Sequence, residues 1–446
     1  MTAGAGSVSL LAAKGAHAQE QPRKRNVLLY VTDDQGTGDA GCYGSRIAKT
    51  PGMDALAREG VRMNSAYCTT PSCSPSRSVL LTGLHNHANG QYGLEHSYHH
   101  FASFPNIKTL PVLLAGAGYR TASAGKFHVA PKDTYQFQQY IGGPSPSEMA
   151  DNCLPFLAAR DEAPFFLYFC TTEPHRNFKR DGADPVRPEN VVVPAFLPDT
   201  PETRLELAAY YASLQRADSG LVRLIKILHD TGHWEDTLII CLSDNGIPFP
   251  GAKTNLYEPG IHLPCIVRNP YSGRRDASCD AMVTWADITP TILDFAQVRP
   301  DAESHGRSFL SAIEEDNPKD WDETYASHTF HEVTMYYPMR MVRTRKYKLI
   351  WNIAHGLEFP FASDLYGSKT WQAVLSRHET HYGPRSVEAL LKRPAFELYD
   401  LESDPNETNN LADDPAHAEV LADLKSKLKS FQERTRDPWI LKWERE

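Results

Sequence analysis

The sequence predicts an α/β fold: a large domain with a mostly parallel central sheet flanked by helices, and a smaller α+β domain after it. Two observations predict this fold. Through about the first 300 residues, short apolar runs alternate with helical patterns, which is typical of parallel strands joined by helical crossovers. Later in the chain, strand patterns follow one another closely, which is typical of an antiparallel sheet. The 446 residues, 41% of them hydrophobic, suffice for a large core.

Five apolar runs predict the strands of the large sheet. The first, RNVLLYVTDD, ends in two acids and reads as a buried parallel strand. A short helix is predicted after it, because Thr50 and Pro51 mark a helix start and Gly60 marks its end. The predicted strands lie at 25–34, 119–124, 164–169, 237–242 and 263–267, and the predicted helices lie at 50–60 and 202–230.

A polar, charged segment at 314–322 indicates a boundary before the smaller domain. Beyond it, two strand patterns are joined at Arg345-Lys346, and the segment 415–434 has the pattern of an amphipathic helix. We therefore divide the chain into a clipped signal or disordered tail (1–22), a large domain (23–315) and a C-terminal domain (316–446). The predicted strands of the C-terminal domain lie at 324–329, 339–344, 347–352 and 397–399.

Charge and composition exclude several classes of partner. The formal net charge of −9 argues against binding to nucleic acid or to an anionic membrane surface, so a polyanionic substrate would insert only a short end into a local pocket. No stretch is long and apolar enough to span a membrane. The N-terminus carries Ala16-His17-Ala18, a pattern typical of signal-peptidase sites. We expect export to a bacterial periplasm or the medium; the alternative is a disordered tail.

Polar side chains follow four of the predicted strands. In open parallel sheets, ligands bind at the carboxyl ends of the strands, so these side chains are expected to meet. A single strand-end acid often only caps the next helix, but that explanation does not account for all four ends. The residues in question are Asp33 and Asp34, Lys126 and His128, His175, and the group Asp244, Asn245 and Lys253.

Four of these residues predict a metal site. Carboxylate and amide oxygens are hard donors that suit Ca²⁺ or Mg²⁺, and the residue types leave the choice between these two ions open. An anion bound to the metal would need positive partners nearby. The expected metal ligands are Asp33, Asp34, Asp244 and Asn245, and the candidate partners of the anion are Arg77, Lys126, His128, His175 and Lys253.

The eight cysteines are scattered and none forms a C-x-x-C pair, so neither a disulfide scaffold nor a zinc ribbon is predicted. Cys73 stands apart from those in apolar runs. Ser74 and Pro75 fit a helix cap and a first turn, which places Cys73 at a helix N-terminus, a position that favours anions and lowers the pKa of a thiol. From the residues alone, Cys73 is either a reactive nucleophile or a structural thiol.

The segment that begins at Cys73 resembles a known signature. C-x-P-x-R followed by L-L-T-G, as in CSPSR and LLTG here, is similar to the signature of type I sulfatases, and the strand-end motifs G-K-x-H, P-H and S-D-N-G stand in the expected order. The resemblance covers nearly the whole chain. The stretches YGL, HHF, SDNGIPFP, TNLY, HEVTM and YPMR resemble the branch of heparan N-sulfatases, or sulfamidases.

The resemblance implies an alkaline-phosphatase-like large domain and a specific activity. The expected reaction releases inorganic sulfate from N-sulfoglucosamine at the non-reducing end of heparin or heparan sulfate fragments, through a sulfate ester on formylglycine. A maturation enzyme would make the formylglycine from Cys73. One calcium ion would be bound by the four oxygen donors and residue 73. Arg77 would hold the nucleophile, Lys126 and Lys253 the sulfate, His175 would protonate the leaving amine, and His128 would accept a proton as sulfate departs.

The resemblance also implies less specific features. His99, His100, His331 and Glu332 are expected to line the sugar pocket, or else to pack its rim, with the C-terminal domain contributing to the pocket. A homodimer is the family expectation. Lys253 departs from the arginine of animal sulfamidases, which offers a bidentate fork that lysine lacks.

Three alternatives remain open at this stage. One is an O-sulfatase acting on glucosamine 6-sulfate or an aryl sulfate. Another is a phosphoester or phosphonate hydrolase of the wider alkaline-phosphatase superfamily. The last is a catalytically silent binder of sulfated glycans, although a pure binder needs no nucleophile.

Overall fold

The protein is described from a computed structural model covering residues 1–2, 25–159, 162–299 and 303–445. The export signal predicted around Ala16-His17-Ala18 lies outside these residues. Among the described residues, no helix combines the length and apolar character needed to cross a membrane.

The strands of the described residues fall into two main sheets and two small two-stranded pairings. In chain order they are β1 (Asn26–Thr32), β2 (Val61–Met63), β3 (Ala66–Tyr67), β4 (Arg120–Gly125), β5 (Gln139–Ile141), β6 (Phe165–Cys170), β7 (Thr237–Ser243), β8 (Cys265–Arg268), β9 (Ala277–Cys279), β10 (Val283–Thr284), β11 (Glu323–Phe330), β12 (Tyr336–Thr344), β13 (Tyr347–Asn352), β14 (His381–Tyr382), β15 (Arg385–Ser386) and β16 (Phe396–Asp400).

The helices vary from single turns to the long α7, and short 3-10 turns lie between several of the elements. In chain order they are α1 (Pro51–Arg58), α2 (Cys73–Thr82), α3 (Asn86–Asn89), α4 (Leu110–Gly116), α5 (Pro146–Asn152), α6 (Leu154–Leu157), α7 (Pro201–Asp230), α8 (Glu258–Ile261), α9 (Ile288–Phe295), α10 (Ser363–Tyr366), α11 (Lys369–Ser376), α12 (Val387–Leu391), α13 (Ala418–Thr435) and α14 (Lys442–Arg445).

The large sheet has the order β5-β4-β6-β1-β7-β8-β2-β9, with β1 near its centre. The first five strands in this order, β5, β4, β6, β1 and β7, are mutually parallel, whereas β8 runs antiparallel to both of its neighbours. The predicted mostly parallel α/β sheet is therefore confirmed, and the five predicted strands are present. The short strands β2, β5 and β9 were not predicted, because three residues carry too little pattern.

Alternating side chains of β1 reach opposite faces of this sheet, as the two-residue period of a strand requires. Val27, Leu29 and Val31 join one buried cluster, whereas Leu28 and Tyr30 join another. Helices α2 and α9 contribute to the first cluster, and the long helix α7 contributes to the second. The sheet is therefore covered by helices on both faces, which explains why β1 is buried along its whole length.

The second sheet has the antiparallel order β11-β12-β13-β16, as predicted for the C-terminal part. One of its faces packs against α13, where Val342 and Leu349 meet Leu424 and Leu428. Its other face belongs to the same buried cluster as β1, through residues such as Met341. The two sheets therefore share apolar core, and the proposed boundary near residue 315 stays a prediction.

Candidate active site at the carboxyl ends of the strands

The acidic residues of the site follow the neighbouring strands β1 and β7. Thr32 and Ser243, the last residues of these strands, lie opposite each other in the parallel register. Asp33 and Asp34 therefore emerge beside Asp244, and the Asp34 backbone N–H donates to Asp244 Oδ1 over 3.0 Å. This register fixes the acids close together before any ligand is considered, as the sequence predicts.

Cys73 is the first residue of α2, and its side chain points at the acids. Its Sγ lies 3.8 Å from Asp34 Oδ1. The helix begins two residues earlier than predicted, because Ser72 rather than Ser74 occupies the cap position. The predicted lowering of the thiol pKa is wrong: burial raises the pKa of Cys73 well above its usual value, and only part of this is offset by Lys126 and Lys253.

Arg77 lies one helical turn after Cys73 and contacts two of the acids, Asp244 and Asp33. Its Nε donates to Asp244 Oδ2 over 2.9 Å, and its Nη2 lies 3.4 Å from Asp33 Oδ1. A third nitrogen, Nη1, donates to the Lys126 backbone carbonyl over 3.2 Å. Because α2 is buried along its entire length, this guanidinium is fully enclosed and fixes the position of the carboxylates.

Two lysines complete the charge balance of the site. Lys126 follows β4, and its Nζ donates to both Asp33 oxygens, over 2.8 and 2.6 Å. Lys253 is buried, and its Nζ donates to Asp34 Oδ2 over 3.0 Å. The acids and the cations are thus paired with each other, which lowers the cost of burying so many charges in one place.

The carboxylates differ in their protonation. Burial alone would raise the pKa of Asp33, but Lys126 in particular, together with His175 and Arg77, holds it well below its usual range. The pKa of Asp244 is raised to about 7, and burial is the largest cause. The negative charges of Asp33 and Asp34 raise it further, whereas Arg77 opposes the rise. An additional cation between these acids would favour the ionised form of Asp244.

The residues of the site fit a bound cation. Asn245 Oδ1 is buried and has no hydrogen-bond partner, whereas its Nδ2 donates to Asp34 Oδ1 over 2.6 Å. Single ligand atoms of Asp33, Cys73 and Asp244 lie within 4.8 Å of one another. An unsatisfied amide oxygen beside several carboxylates is a suitable set for a hard divalent ion. The four predicted oxygen donors are therefore brought together as expected.

Comparisons with known proteins agree with this arrangement. The family model named Sulfatase matches residues 25–298, which is more than half of the chain and includes all the residues described so far in this site. This chain belongs to the sulfatase family. A second family model, described as the C-terminal part of N-sulphoglucosamine sulphohydrolase, matches residues 252–361.

This sulfatase is also similar to individual proteins of known name or structure. The chain is 37% identical to human N-sulphoglucosamine sulphohydrolase over 94% of its own length and 92% of the relative. A solved structure of a protein in complex with its substrate D-glucosamine-2-N,6-O-disulfate matches with a TM-score of 0.70 and 20% identity, covering 93% of this chain and 99% of that one. Phosphonate monoester hydrolase of Agrobacterium radiobacter matches with a TM-score of 0.70 and 19% identity, covering 92% and 96%. These two structures show the shared fold.

His175 and Lys253 lie side by side in the sulfatase site, where Lys253 is buried and the His175 side chain is partly exposed. Lys253 Nζ donates to His175 Nε2 over 3.1 Å, and this Nε2 is 3.7 Å from Asp34 Oδ2. The Nδ1 atom of His175 hydrogen-bonds to the backbone carbonyl of Arg176, so it holds the proton in the neutral ring. In this neutral ring Nε2 therefore carries no proton and accepts from Lys253.

Asp364 is a member of the site that the sequence did not predict. Its Oδ2 accepts from Lys253 Nζ over 3.0 Å and lies 3.9 Å from His175 Nε2, while its Oδ1 is buried without a partner. Lys253, together with His175 and His331, lowers the pKa of Asp364 against the effect of burial, so the carboxylate stays ionised. Asp364 belongs to the four-residue helix α10, which has no periodic pattern that could be read from sequence.

Glu332 positions this helix. Its two carboxylate oxygens accept from the backbone N–H and the hydroxyl of Ser363, over 2.8 and 2.7 Å. Glu332 was predicted to line the sugar pocket or to pack its rim. The structure shows that it holds the residue next to Asp364, which is a supporting contact.

The predicted histidines fall into different environments. His331 is buried and shares a hydrogen bond of 2.8 Å with Ser72, the residue before Cys73. His99 is half-buried and accepts from the Val333 backbone N–H over 3.2 Å, whereas His100 is exposed. His331 and His99 thus connect to segments around the site, and no contact brings His100 to it among the described residues.

His128 faces another histidine that the sequence did not predict. Its Nε2 lies 2.6 Å from His96 Nδ1, and its Nδ1 is buried without a partner. Burial, followed by the charges of Lys126 and Arg77, lowers the pKa of His128 well below its usual value. This imidazole is therefore neutral in the folded protein.

Proposed function

We propose that this sulfatase hydrolyses the N-sulfate of N-sulfoglucosamine at the non-reducing end of heparin or heparan sulfate fragments and releases inorganic sulfate. The observation that carries the proposal is the carboxylate of Asp364 beside His175 and Lys253. Cleavage of an S–N bond leaves an amine that must gain a proton and then carries positive charge. An ionised carboxylate next to the proton donor suits that product better than a neutral alcohol or a phenol. The identity with the human relative supports the same substrate.

Two groups that the family uses belong to this proposal. Hydrated formylglycine, made from Cys73, supplies a nucleophilic hydroxyl and a second hydroxyl on the same carbon. Asp33, Asp34, Asp244 and Asn245 would hold a calcium ion, which would supply positive charge to the bound sulfate group. The orphaned Asn245 Oδ1 supports this ligand set.

Side chains of the protein itself carry out sulfate binding and proton transfer in the proposed reaction. Lys126 and Lys253 bind sulfate oxygens, because both ammonium groups lie at the acids next to residue 73. Arg77 is fully enclosed and keeps the acidic residues in place. The imidazolium form of His175 delivers its Nε2 proton to the departing nitrogen and is left as the neutral ring with its proton on Nδ1, and the neutral His128 accepts a proton as sulfate leaves. Asp364 keeps Lys253 and the new ammonium group in position.

The test is sulfate release from N-sulfoglucosamine, with glucosamine 6-sulfate and an aryl sulfate measured alongside. The chain is co-expressed with a formylglycine-generating enzyme, and Cys73→Ala serves as the matched blank. Preference for N-sulfoglucosamine with an inactive blank supports the proposal. Preference for an O-sulfate contradicts it and makes the O-sulfatase alternative correct, with Lys253 as the first residue to exchange. Faster turnover of a phosphonate ester than of any sulfate would favour the phosphoester or phosphonate hydrolase.

Other predictions from the sequence remain proposals at this point. They are export to a periplasm or the medium, modification by a maturation enzyme, and association into a homodimer. Size-exclusion chromatography with light scattering tests the last of these directly.

A further inference from the structure

A second group of metal-binding side chains lies beside the proposed catalytic residues. Glu95, His96 and His128 each present one ligand atom, and these atoms lie within 4.8 Å of one another. Glu95 and His128 are half-buried, whereas His96 is exposed, so the group is open to solvent on one side. The proposed reaction uses only His128 and gives no role to the other two.

The two imidazoles are arranged as a pair of ligands. His96 Nδ1 and His128 Nε2 face each other at 2.6 Å, and a contact this close needs a shared proton or a cation between the nitrogens. Two imidazoles on one tetrahedral zinc ion lie about 3.3 Å apart, so the rings would have to separate by less than about 1 Å. His96 is exposed and has room for this movement.

Glu95 supplies the negative charge that such an ion requires. Its carboxylate has no hydrogen bond or ion pair within the residues that the structure describes. The Glu95 backbone N–H donates to Ser74 Oγ over 3.2 Å, which fixes this segment against the start of α2. Two imidazole nitrogens and one carboxylate oxygen form a set suited to Zn²⁺ and its neighbours among the transition metals, and poorly suited to Ca²⁺.

We propose that Glu95, His96 and His128 form a second, inhibitory metal site that binds a Zn²⁺-type ion and is separate from the acidic calcium site. Such an ion occupies Nε2 of His128 and prevents this imidazole from accepting a proton. The inhibitory part of the inference rests on the proposed role of His128, whereas the binding part does not. Reversible coordination is sufficient, and no bond of the protein is made or broken.

The first experiment measures inhibition by Zn²⁺ with Ca²⁺ in excess, using whichever sulfate ester or sulfamate the enzyme turns over. His96→Ala and Glu95→Gln each remove one ligand and leave the proposed catalytic residues intact. We expect Zn²⁺ to inhibit the wild type, and the half-inhibiting concentration to rise at least about tenfold in both variants. His355→Ala, which removes another exposed histidine, is expected to behave like the wild type. Equal inhibition of all four proteins overturns the proposal.

The second experiment needs no activity and therefore separates this inference from the proposed function. Co²⁺ is titrated into the Cys73→Ala chain with Ca²⁺ in excess, and the visible spectrum of tetrahedral Co²⁺ is recorded. We expect one such site, lost when His96→Ala is added. A spectrum that is unchanged by His96→Ala overturns the site. A site that depends on His96, in an active enzyme that Zn²⁺ does not inhibit, overturns the inhibitory role.

Discussion

Mild acid is expected to destabilise this sulfatase through three histidines that pack against each other near α13. The rings of His85, His87 and His305 lie 5.7 to 5.8 Å apart, and Phe431 of α13 contacts His85 edge-on at 4.9 Å. Neither ring nitrogen of His87 has a hydrogen-bond partner among the described residues, and Nδ1 of His85 also has none. Only the backbone of Thr435 and the charge of Asp437 favour a proton on His87, and burial outweighs both of them.

Burial is the largest cause that lowers the pKa of each ring. The pKa of His87 falls to about 3 and that of His305 to about 4, and the pKa of His85 falls well below its usual value, where the two neighbouring histidines add to burial. Charged groups nearby act in both directions: Asp437 and Glu303 raise these pKa values, while Arg340, Arg434 and Arg436 lower them. The net effect keeps all three histidines neutral in the folded protein.

The size of the effect follows from proton linkage. An unfolded histidine binds a proton below about pH 6.5, whereas the folded cluster stays neutral, so the free energy of unfolding falls as the pH drops through this value. Between about pH 7.5 and about pH 5 each histidine costs about 2 kcal/mol, or about 6 kcal/mol for the three. The loss stops growing only near the folded pKa values, which lie at about 3 and about 4 for His87 and His305.

Urea unfolding followed by circular dichroism at the two pH values measures this loss. Replacing His87 by glutamine removes one titrating ring, so the His87→Gln protein should lose about 2 kcal/mol less than the wild type on acidification. His355→Gln is the matched control, because His355 is exposed, and it should lose as much as the wild type. Equal losses for His87→Gln and the wild type would refute the reasoning and would mean that the folded cluster accepts protons.

Three other changes have expected outcomes. Asp364→Asn should lower kcat and kcat/KM for N-sulfoglucosamine by about tenfold or more and change those for an aryl sulfate much less. The reason is that the positive charge facing Asp364 develops only as the S–N bond breaks, and a charged hydrogen bond is worth about 1.5–3 kcal/mol; equal effects on both substrates in steady-state kinetics would contradict the inference. Asp437→Asn removes the charged partner that lies 2.5 Å from buried Arg340, and it should lower the free energy of urea unfolding by about 3 kcal/mol. Arg340 keeps the pKa of Asp437 low in the folded protein. The stabilisation that this ion pair gives the wild type should therefore be lost as the pH falls below about 4. A chelator should abolish sulfate release without unfolding the protein, because Lys126 still pairs with Asp33; loss of the circular dichroism signal together with activity would contradict this.

The central part of the site could be predicted because parallel strands bring their carboxyl ends to one edge. Asp33 and Asp244 are far apart in sequence, yet each follows a strongly apolar run, and the parallel pairing of β1 and β7 places them together. Lys126 and His175 follow β4 and β6 in the same way. Strand patterns therefore indicated most of the residues around Cys73, and the resemblance to sulfatases indicated their roles.

Other features depend on contacts that sequence patterns do not report. Asp364 reaches Lys253 from a helix of four residues, across 111 positions of chain, and neither composition nor periodicity marks it. The same is true of His96, whose importance comes only from its contact with His128. The reversed direction of β8 also leaves no trace in its four apolar residues, because direction is set by the connection and not by the strand itself.

The predicted acidity of Cys73 shows how burial can outweigh a local rule. The start of a helix does favour a thiolate, and Cys73 is the first residue of α2. In the folded protein this side chain is only 1% exposed and faces two carboxylates, so desolvation and like charge prevail. The sequence identified the position correctly, but it did not reveal how completely the position is enclosed.

The burial of α2 also determines when residue 73 can be altered. All ten residues from Cys73 to Thr82 are buried, and Arg77 connects this helix to Asp244 at the carboxyl end of β7 by a hydrogen bond. An enzyme that oxidises this thiol needs the segment in its own cleft, which requires α2 to be pulled out of the core. The proposed oxidation would therefore have to take place during or soon after synthesis, while the segment is still unfolded. A chain that folds first keeps its thiol, and its recovery would require unfolding and not merely later addition of the modifying enzyme.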